Sequence, residues 1–207
     1  MLRIWGRTNS INVQKVMWTV GELGLAAERI DAGMRFGVVG EPWYGAINPN
    51  RQVPAIDDDG VVLWESNVIV RYLAAKHATG TLMPAAPAAR AECEMWMDWQ
   101  QNALMPGLSP LFLGLVRTPS AQRDMAQIRK GAETVEAGLR ILDQRLAGRS
   151  FVAGDRLTIA DIPLGCVAYR WYALPIERRA ELPHLEAWYD RLTTLPAFAA
   201  HVMLPLA

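Results

Sequence analysis

A proline at the entrance of a short apolar strand, followed by a hairpin and then a capped helix, constrains this chain more than any other feature. The stretch runs Gln52-Val53-Pro54-Ala55-Ile56, turns at Asp57-Asp58-Asp59-Gly60, returns as Val61-Val62-Leu63-Trp64 and continues into Glu65-Ser66-Asn67. An X-Pro bond is the one peptide bond that adopts the cis form at modest cost. A cis Pro54 turns the N–H and C=O of Val53 outward, free to pair with an extended ligand as a neighbouring strand would. Asp59-Gly60 suits a tight hairpin. Ser66 is a good N-cap, and a helix N-terminus attracts anions through its free N–H groups and its dipole. Glu65 adds a carboxylate for an ammonium group. Each feature alone also fits an ordinary hairpin and an ordinary capped helix. In this order they point to a site for a small peptide, held by its backbone and its charged ends.

The rest of the chain supplies two different patterns. Residues 1 to 78 alternate: a strand at 2–5, a helix at 12–23, a strand at 27–31, a Gly-rich loop with Phe36 and Trp43, the hairpin, and a helix at 66–77. In the first helix Val13, Val16, Met17, Val20 and Leu23 recur on one face, and Gly24 is a stop signal. Strand–helix–strand, hairpin, helix predicts a small α/β sheet layer. Residues 79–87, with Gly80, Pro84 and Pro87, read as a linker. Beyond it the pattern is helical only: 88–104, broken or kinked by Pro106-Gly107 and Pro110, then 120–146, 158–171 and 184–194. Thr158 and Asp161 have the spacing of a capping box, flanked by Leu157 and Ile162 at staple positions. This pair is read as structural.

Composition narrows the function. The 207 residues carry no formal net charge, 51% are hydrophobic and 20% are charged. That is ample core material and no basic face for nucleic acid or anionic membrane. No apolar run is long enough to span a bilayer. The strand-like start at Leu2 leaves no stretch with signal-peptide character, and Cys93 and Cys166 lack CxxC spacing, so a reducing cytoplasm is expected. His77, His184 and His201 are dispersed and do not form a metal set.

The Val53-Pro54 and Glu65-Ser66 motifs, with the two-part pattern around them, resemble the glutathione transferase family. The nearest likeness is to bacterial members of theta-, nu- or beta-like type, which place Ser, Thr, Cys or Asn near the first helix. The resemblance implies an α/β thioredoxin-like N-terminal domain (1–78), a linker (79–87) and an all-α C-terminal domain (88–207). It implies glutathione as co-substrate, no metal, an apolar electrophile or a mixed disulfide as second substrate, and a homodimer. The Lys15 helix aligns Ser10 with the family's Ser/Thr/Cys position and Asn12 with an assisting amide. Ser10 and Asn12 are therefore the expected donors to the glutathione thiol, with Thr8 the runner-up, although all three also suit simple helix caps. The resemblance implies that Val53, presented by Pro54, pairs with the cysteinyl backbone, that Gln52 contacts the glycyl carboxylate, and that Glu65 and Ser66 hold the γ-glutamyl end. Arg51 stands where a glycine is common and is read as solvated. Met105, Leu108 and Phe112 are expected to line the second-substrate pocket. Transfer to an electrophile competes with two other readings, a glutathione-dependent disulfide reductase or peroxidase, and a non-catalytic ligand-binding module.

Overall fold

The computed structural model describes residues 1–177 and 180–207. Its first part is a four-stranded sheet: β1 (Leu2–Trp5), β2 (Ala27–Ile30), β3 (Ala55–Asp58) and β4 (Val61–Trp64), in the order β2-β1-β3-β4. β1 pairs parallel with β2 and antiparallel with β3, and β3 pairs antiparallel with β4. The β1–β2 crossover is α1 (Ile11–Glu22), and α3 (Ser66–His77) follows β4. Val16 and Val20 of α1 pack with Ile69 and Leu73 of α3 over Leu2, Ile4 and Ile56 of the sheet. The expected α/β layer is thus present. α1 stops where Gly24, at φ +61°, lets the Leu25 N–H reach the Val20 carbonyl at 3.1 Å and the Gly24 N–H reach that of Gly21 at 3.1 Å. This is a Schellman cap, and a side chain at Gly24 would strain it.

Two details of this half depart from the sequence reading. The Gly-rich loop contains a short helix, α2 (Pro42–Ile47), opened by Pro42 in its first turn. The hairpin turn Asp57-Asp58-Asp59-Gly60, whose acidic run reads from sequence as a solvated turn, is solvated only in part. Asp59 and Gly60 form its two-residue tip, both at positive φ, but Asp58 is buried and accepts from Tyr72 Oη at 2.8 Å and Lys76 Nζ at 2.6 Å. Pairing with Lys76 holds the Asp58 carboxyl below its ordinary pKa.

The second part is helical: α4 (Pro87–Trp99), α5 (Met105–Phe112), α6 (Met125–Leu146), α7 (Asp161–Ala173), α8 (Pro183–Thr193) and α9 (Pro196–His201). Pro106 and Pro110 do not end the helical path. Pro106 falls in the first turn of α5, and the chain absorbs the change through wide π-helical segments at Gln100–Leu104 and Leu113–Arg117. α6 begins at Met125, not at 120, because Asp124 caps it by accepting from the Ala126 and Gln127 N–H groups, both at 3.0 Å. α9 had no counterpart in the sequence reading. α5 and α6 cross at glycines: a methyl group on Gly107 would lie 2.8 Å from the Gly131 carbonyl oxygen.

α7 runs through the centre of this half, with every residue from Asp161 to Trp171 buried. The expected Thr158–Asp161 pair forms, in a wider arrangement than a capping box. Asp161 accepts from the Thr158 N–H at 2.9 Å and its hydroxyl at 3.2 Å, from the Val152 N–H at 2.9 Å and from Trp188 Nε1 at 3.0 Å. Complete burial pushes its pKa up to about 6 against the pull of those donors. Asp161→Ala would strand four donors in the core. Each stranded group costs about 1–3 kcal/mol, so the variant is expected to melt well below wild type or to fail to fold. Asp161→Asn, which keeps one acceptor oxygen, should lose less. Melting by circular dichroism checks both, and equal melting of Asp161→Ala and wild type would remove the structural role.

Candidate active site

The turn between β1 and α1 sets the first group in place. The Ser10 N–H donates to the Arg7 carbonyl at 3.3 Å, and the Ser10 carbonyl accepts the Gln14 N–H at 2.9 Å as α1 begins. Ser10 has the extended backbone of an N-cap, but its hydroxyl makes no capping hydrogen bond. The hydroxyl is therefore uncommitted, on a residue only 7% exposed, at the positive end of a twelve-residue helix. Simple capping does not account for it.

Ser10 opens onto a cavity of about 190 Å³ between the two halves of the chain. From the α/β half come Arg7, Ile11, Asn12, Gln52 and Val53, and from the helical half Met105, Ser109, Phe112, Leu113, Arg117 and Arg170. The Val53-Pro54 bond is cis, as expected. The preceding backbone is pinned by Tyr44 Oη and Asn48 Nδ2, which both donate to the Gln52 carbonyl, at 2.8 and 2.9 Å. Thr8 is exposed and does not line the cavity.

A second cavity, about 220 Å³, lies at the start of α3 and is lined by Glu65, Ser66, Asn67, Val68, Arg71, Asp98, Gln101 and Asn102. Glu65 sits at φ +72°, an uncommon conformation for a residue with a side chain, where strain of about 1–3 kcal/mol is held by the surrounding structure. Such outliers cluster at ligand sites. The two cavities are joined by one hydrogen bond, from Ser66 Oγ to Asn12 Oδ1 at 3.2 Å. Asn12 thus has its carbonyl engaged and its amide hydrogens left to donate.

Other sequence-derived candidates fall elsewhere. Met105 and Phe112 reach the first cavity, but Leu108 is fully buried in the core of the helical half and lines neither cavity, because α5 turns that residue inward. Arg51 is exposed, as read from the sequence, and lies outside both cavities; its Nη1 also donates to the carbonyls of Val39 at 2.9 Å and Glu41 at 3.0 Å, tying the loop before α2. Of the polar run Gln100-Gln101-Asn102, which stands out in sequence beside so much apolar surface, Gln101 and Asn102 line the second cavity, whereas Gln100 is buried and accepts from Lys15 Nζ at 3.2 Å. Burial lowers the Lys15 pKa to about 8.

The sequence reading missed the arginines. Arg170 lies in the buried helix α7, packs its guanidinium 3.8 Å from the Phe112 ring centroid and donates to the Asn9 carbonyl at 3.2 Å. Arg117 reaches the same ring at 5.3 Å. An arginine inside a helix as apolar as 162–171 was a legible signal, since a buried charge needs a reason.

The first 75 residues match the family model described as glutathione S-transferase, N-terminal domain, and residues 104–196 match the glutathione S-transferase, C-terminal domain. The chain is 40% identical over 209 residues to glutathione S-transferase GstB of Escherichia coli (strain K12), covering 100% of both chains. It is 32% identical to glutathione S-transferase 3 of Zea mays, covering 95% of this chain and 91% of that one. Its fold is similar to that of the theta class glutathione S-transferase of Xanthomonas axonopodis pv. citri, solved with glutathione bound, at a TM-score of 0.95 and 46% identity over 100% of this chain and 99% of the other. Over its whole length, sheet layer and helical half alike, the chain belongs to the glutathione S-transferase family.

Proposed function

We infer that the chain is a glutathione transferase that binds glutathione across both cavities and ionises its thiol at Ser10. The carrying observation is the buried Ser10 hydroxyl, uncapped, beside Val53 and at the start of α1. The γ-glutamyl end occupies the second cavity, with its ammonium at Glu65 and its carboxylate at Ser66 and the free N–H groups of α3. The cysteinyl backbone pairs with Val53, which the cis Pro54 presents, and the glycyl carboxylate meets Gln52. Asn12 spans the two parts, holding Ser66 and offering its amide to the sulfur. Residues 1–78 act as the glutathione-binding half, 79–87 as the link, and 88–207 as the half that brings the electrophile against Met105 and Phe112.

The thiol of glutathione has an ordinary pKa of about 8.5. A hydroxyl donor, an amide donor and a helix N-terminus each favour the thiolate over the thiol. Once formed, the thiolate attacks an electrophile held beside it, and placement accounts for much of the rate. Neither protein cysteine substitutes for this thiol. Cys93 and Cys166 are buried away from both cavities, and burial pushes the Cys166 thiol up to about 12. That supports transfer over a mechanism using a protein thiol.

Titration of the bound thiolate by ultraviolet absorbance tests the assignment. Wild type should hold the thiol below its free pKa, and Ser10→Ala should raise it by about 1, the value of one charge-assisted hydrogen bond. A lowered pKa unchanged by the substitution would move the role to Asn12, and binding with no lowering would leave a ligand-binding module.

The Asn12–Ser66 bridge predicts coupling. Asn12→Ala and Ser66→Ala should each weaken glutathione binding roughly three- to tenfold. Together they should lose less than the sum, with a coupling of about 1 kcal/mol by titration calorimetry. Strict additivity would count against a shared role.

We further infer a cytoplasmic, homodimeric enzyme that detoxifies electrophiles by conjugation. The unpaired buried cysteines suit a reducing compartment. α3 and α4 are tied by Arg71, which pairs with Glu94 and Asp98, and expose Val68 and Met95 at 43% and 57%. Such apolar residues beside fixed charges suit a partner face. Sedimentation equilibrium should give twice the chain mass, with Met95→Glu shifting the protein toward monomer; a monomeric wild type would refute this part.

A further inference from the structure

The first cavity holds three arginines and no acidic side chain. Arg7, Arg117 and Arg170 come from the β1–α1 turn, the segment after α5 and the buried helix α7, and meet only through the fold. Among the described residues none of them forms an ion pair with a carboxylate side chain. Their Nε atoms are all buried and without a hydrogen-bond partner. Arg170 donates one Nη to the Asn9 carbonyl at 3.2 Å, and Arg117 one to the Ala207 main-chain oxygen at 3.2 Å. Arg7 donates to no described residue. Arg170 is only 6% exposed. Burial, with the charges of Arg117 and Arg7 adding to it, lowers its pKa to about 10, so it stays a cation at neutral pH, and the three guanidinium groups repel one another.

Placing like charges together in a half-buried cavity destabilises the free protein unless an anion is expected there. Guanidinium groups are suited to carboxylates, which accept two parallel N–H bonds. The other wall is apolar, with Met105, Phe112 and Leu113. Resting on the transferase reading, we propose that Arg7, Arg117 and Arg170 form an anion subsite, and that the preferred electrophile has an apolar body bearing a carboxylate. The amphipathic cavity orients such a molecule with its charge on the arginines and its reactive carbon toward Ser10. The glutathione sulfur forms the new C–S bond there, the leaving group departs with its bonding pair, and the thiol proton passes to solvent.

The test compares 4-chloro-3-nitrobenzoate with its neutral amide, 4-chloro-3-nitrobenzamide, at saturating glutathione, each kcat/KM divided by its uncatalysed rate constant. Both substrates release chloride and are close in size; they differ chiefly in the charge of the group opposite the leaving chloride, and dividing by the uncatalysed rate removes their difference in intrinsic reactivity. Wild type should favour the carboxylate by about tenfold, as one charge-assisted hydrogen bond allows. Arg7→Gln and Arg117→Gln should each reduce that ratio several-fold, chiefly through KM of the carboxylate, and Arg7→Lys should restore part of it. Among the described residues the Arg7 side chain donates to no partner, so its variants should fold. Equal turnover of the two substrates by wild type would overturn the subsite. So would a preference unaltered in the glutamine variants, including one accompanied by a higher KM for glutathione or a higher thiol pKa, which would assign the arginines to glutathione instead. Turnover of neither substrate, with no thiolate formed, would overturn the transferase reading and the subsite with it.

Discussion

The indole of Trp18 fixes the relation of the two halves. It is fully buried on the face of α1 that looks away from the sheet, and it belongs to the core of the helical half although its helix belongs to the α/β half. A methyl group at Gly165 of α7 would lie 2.8 Å from its Cζ3, and Phe198 of α9 meets it edge-on at 4.8 Å. At packing this close, α1 cannot shift against α7 without clash or void. Ser10 precedes the first turn of the same helix, and Arg170 lies on α7 about 1.4 turns beyond Gly165. The contact that joins the halves therefore also sets the walls of the cavity.

Polar groups along that seam follow from the same constraint. Two apolar clusters serve the sheet and one serves the helical half, with Trp18 and Ile11 reaching across from α1. Where the clusters part, the chain buries Lys15, Gln100, Arg170 and Ser66. Such groups cost free energy to desolvate and are kept where something offsets it. Lys15 finds the Gln100 carbonyl oxygen, and Ser66 finds Asn12. The arginine Nε groups find nothing within the described chain, and a bound anion would satisfy them. Seen this way, affinity for an anionic partner is the return on a poorly satisfied seam, and glutathione or electrophile binding should share in stabilising the fold.

What the sequence disclosed was the local part of this arrangement. The hairpin, the proline before β3, the start of α3 at Ser66 and the apolar faces of α1 each rest on a few adjacent residues and on a period of two or 3.6. Asp161 and Thr158 were legible for the same reason, but the two further donors, Val152 and Trp188, lie 9 and 27 positions away and no local pattern announces them. α2 escaped notice because its six residues contain a glycine and no apolar repeat. Leu108 and Phe112, one turn apart, looked equivalent as apolar residues of one helix. Only the packing of α5 on α6 shows that Leu108 is core while Phe112 also forms cavity wall.

The arginines show where sequence reading ends and why. Arg7, Arg117 and Arg170 are separated by 110 and 53 positions, so no motif joins them. A balanced net charge seemed to argue against any concentration of one sign, yet net charge is a sum over the whole surface and says little about a cavity. The relevant quantity is the local imbalance, set by which elements the fold brings together. The formal charge of zero is distributed so that carboxylates pair with cations elsewhere, as Asp58 with Lys76 and Glu92 with Arg145, while the cavity between the halves is left cationic. A site for an anion can thus be present in a neutral chain, and it becomes visible only once α1 and α7 are locked against each other by Trp18.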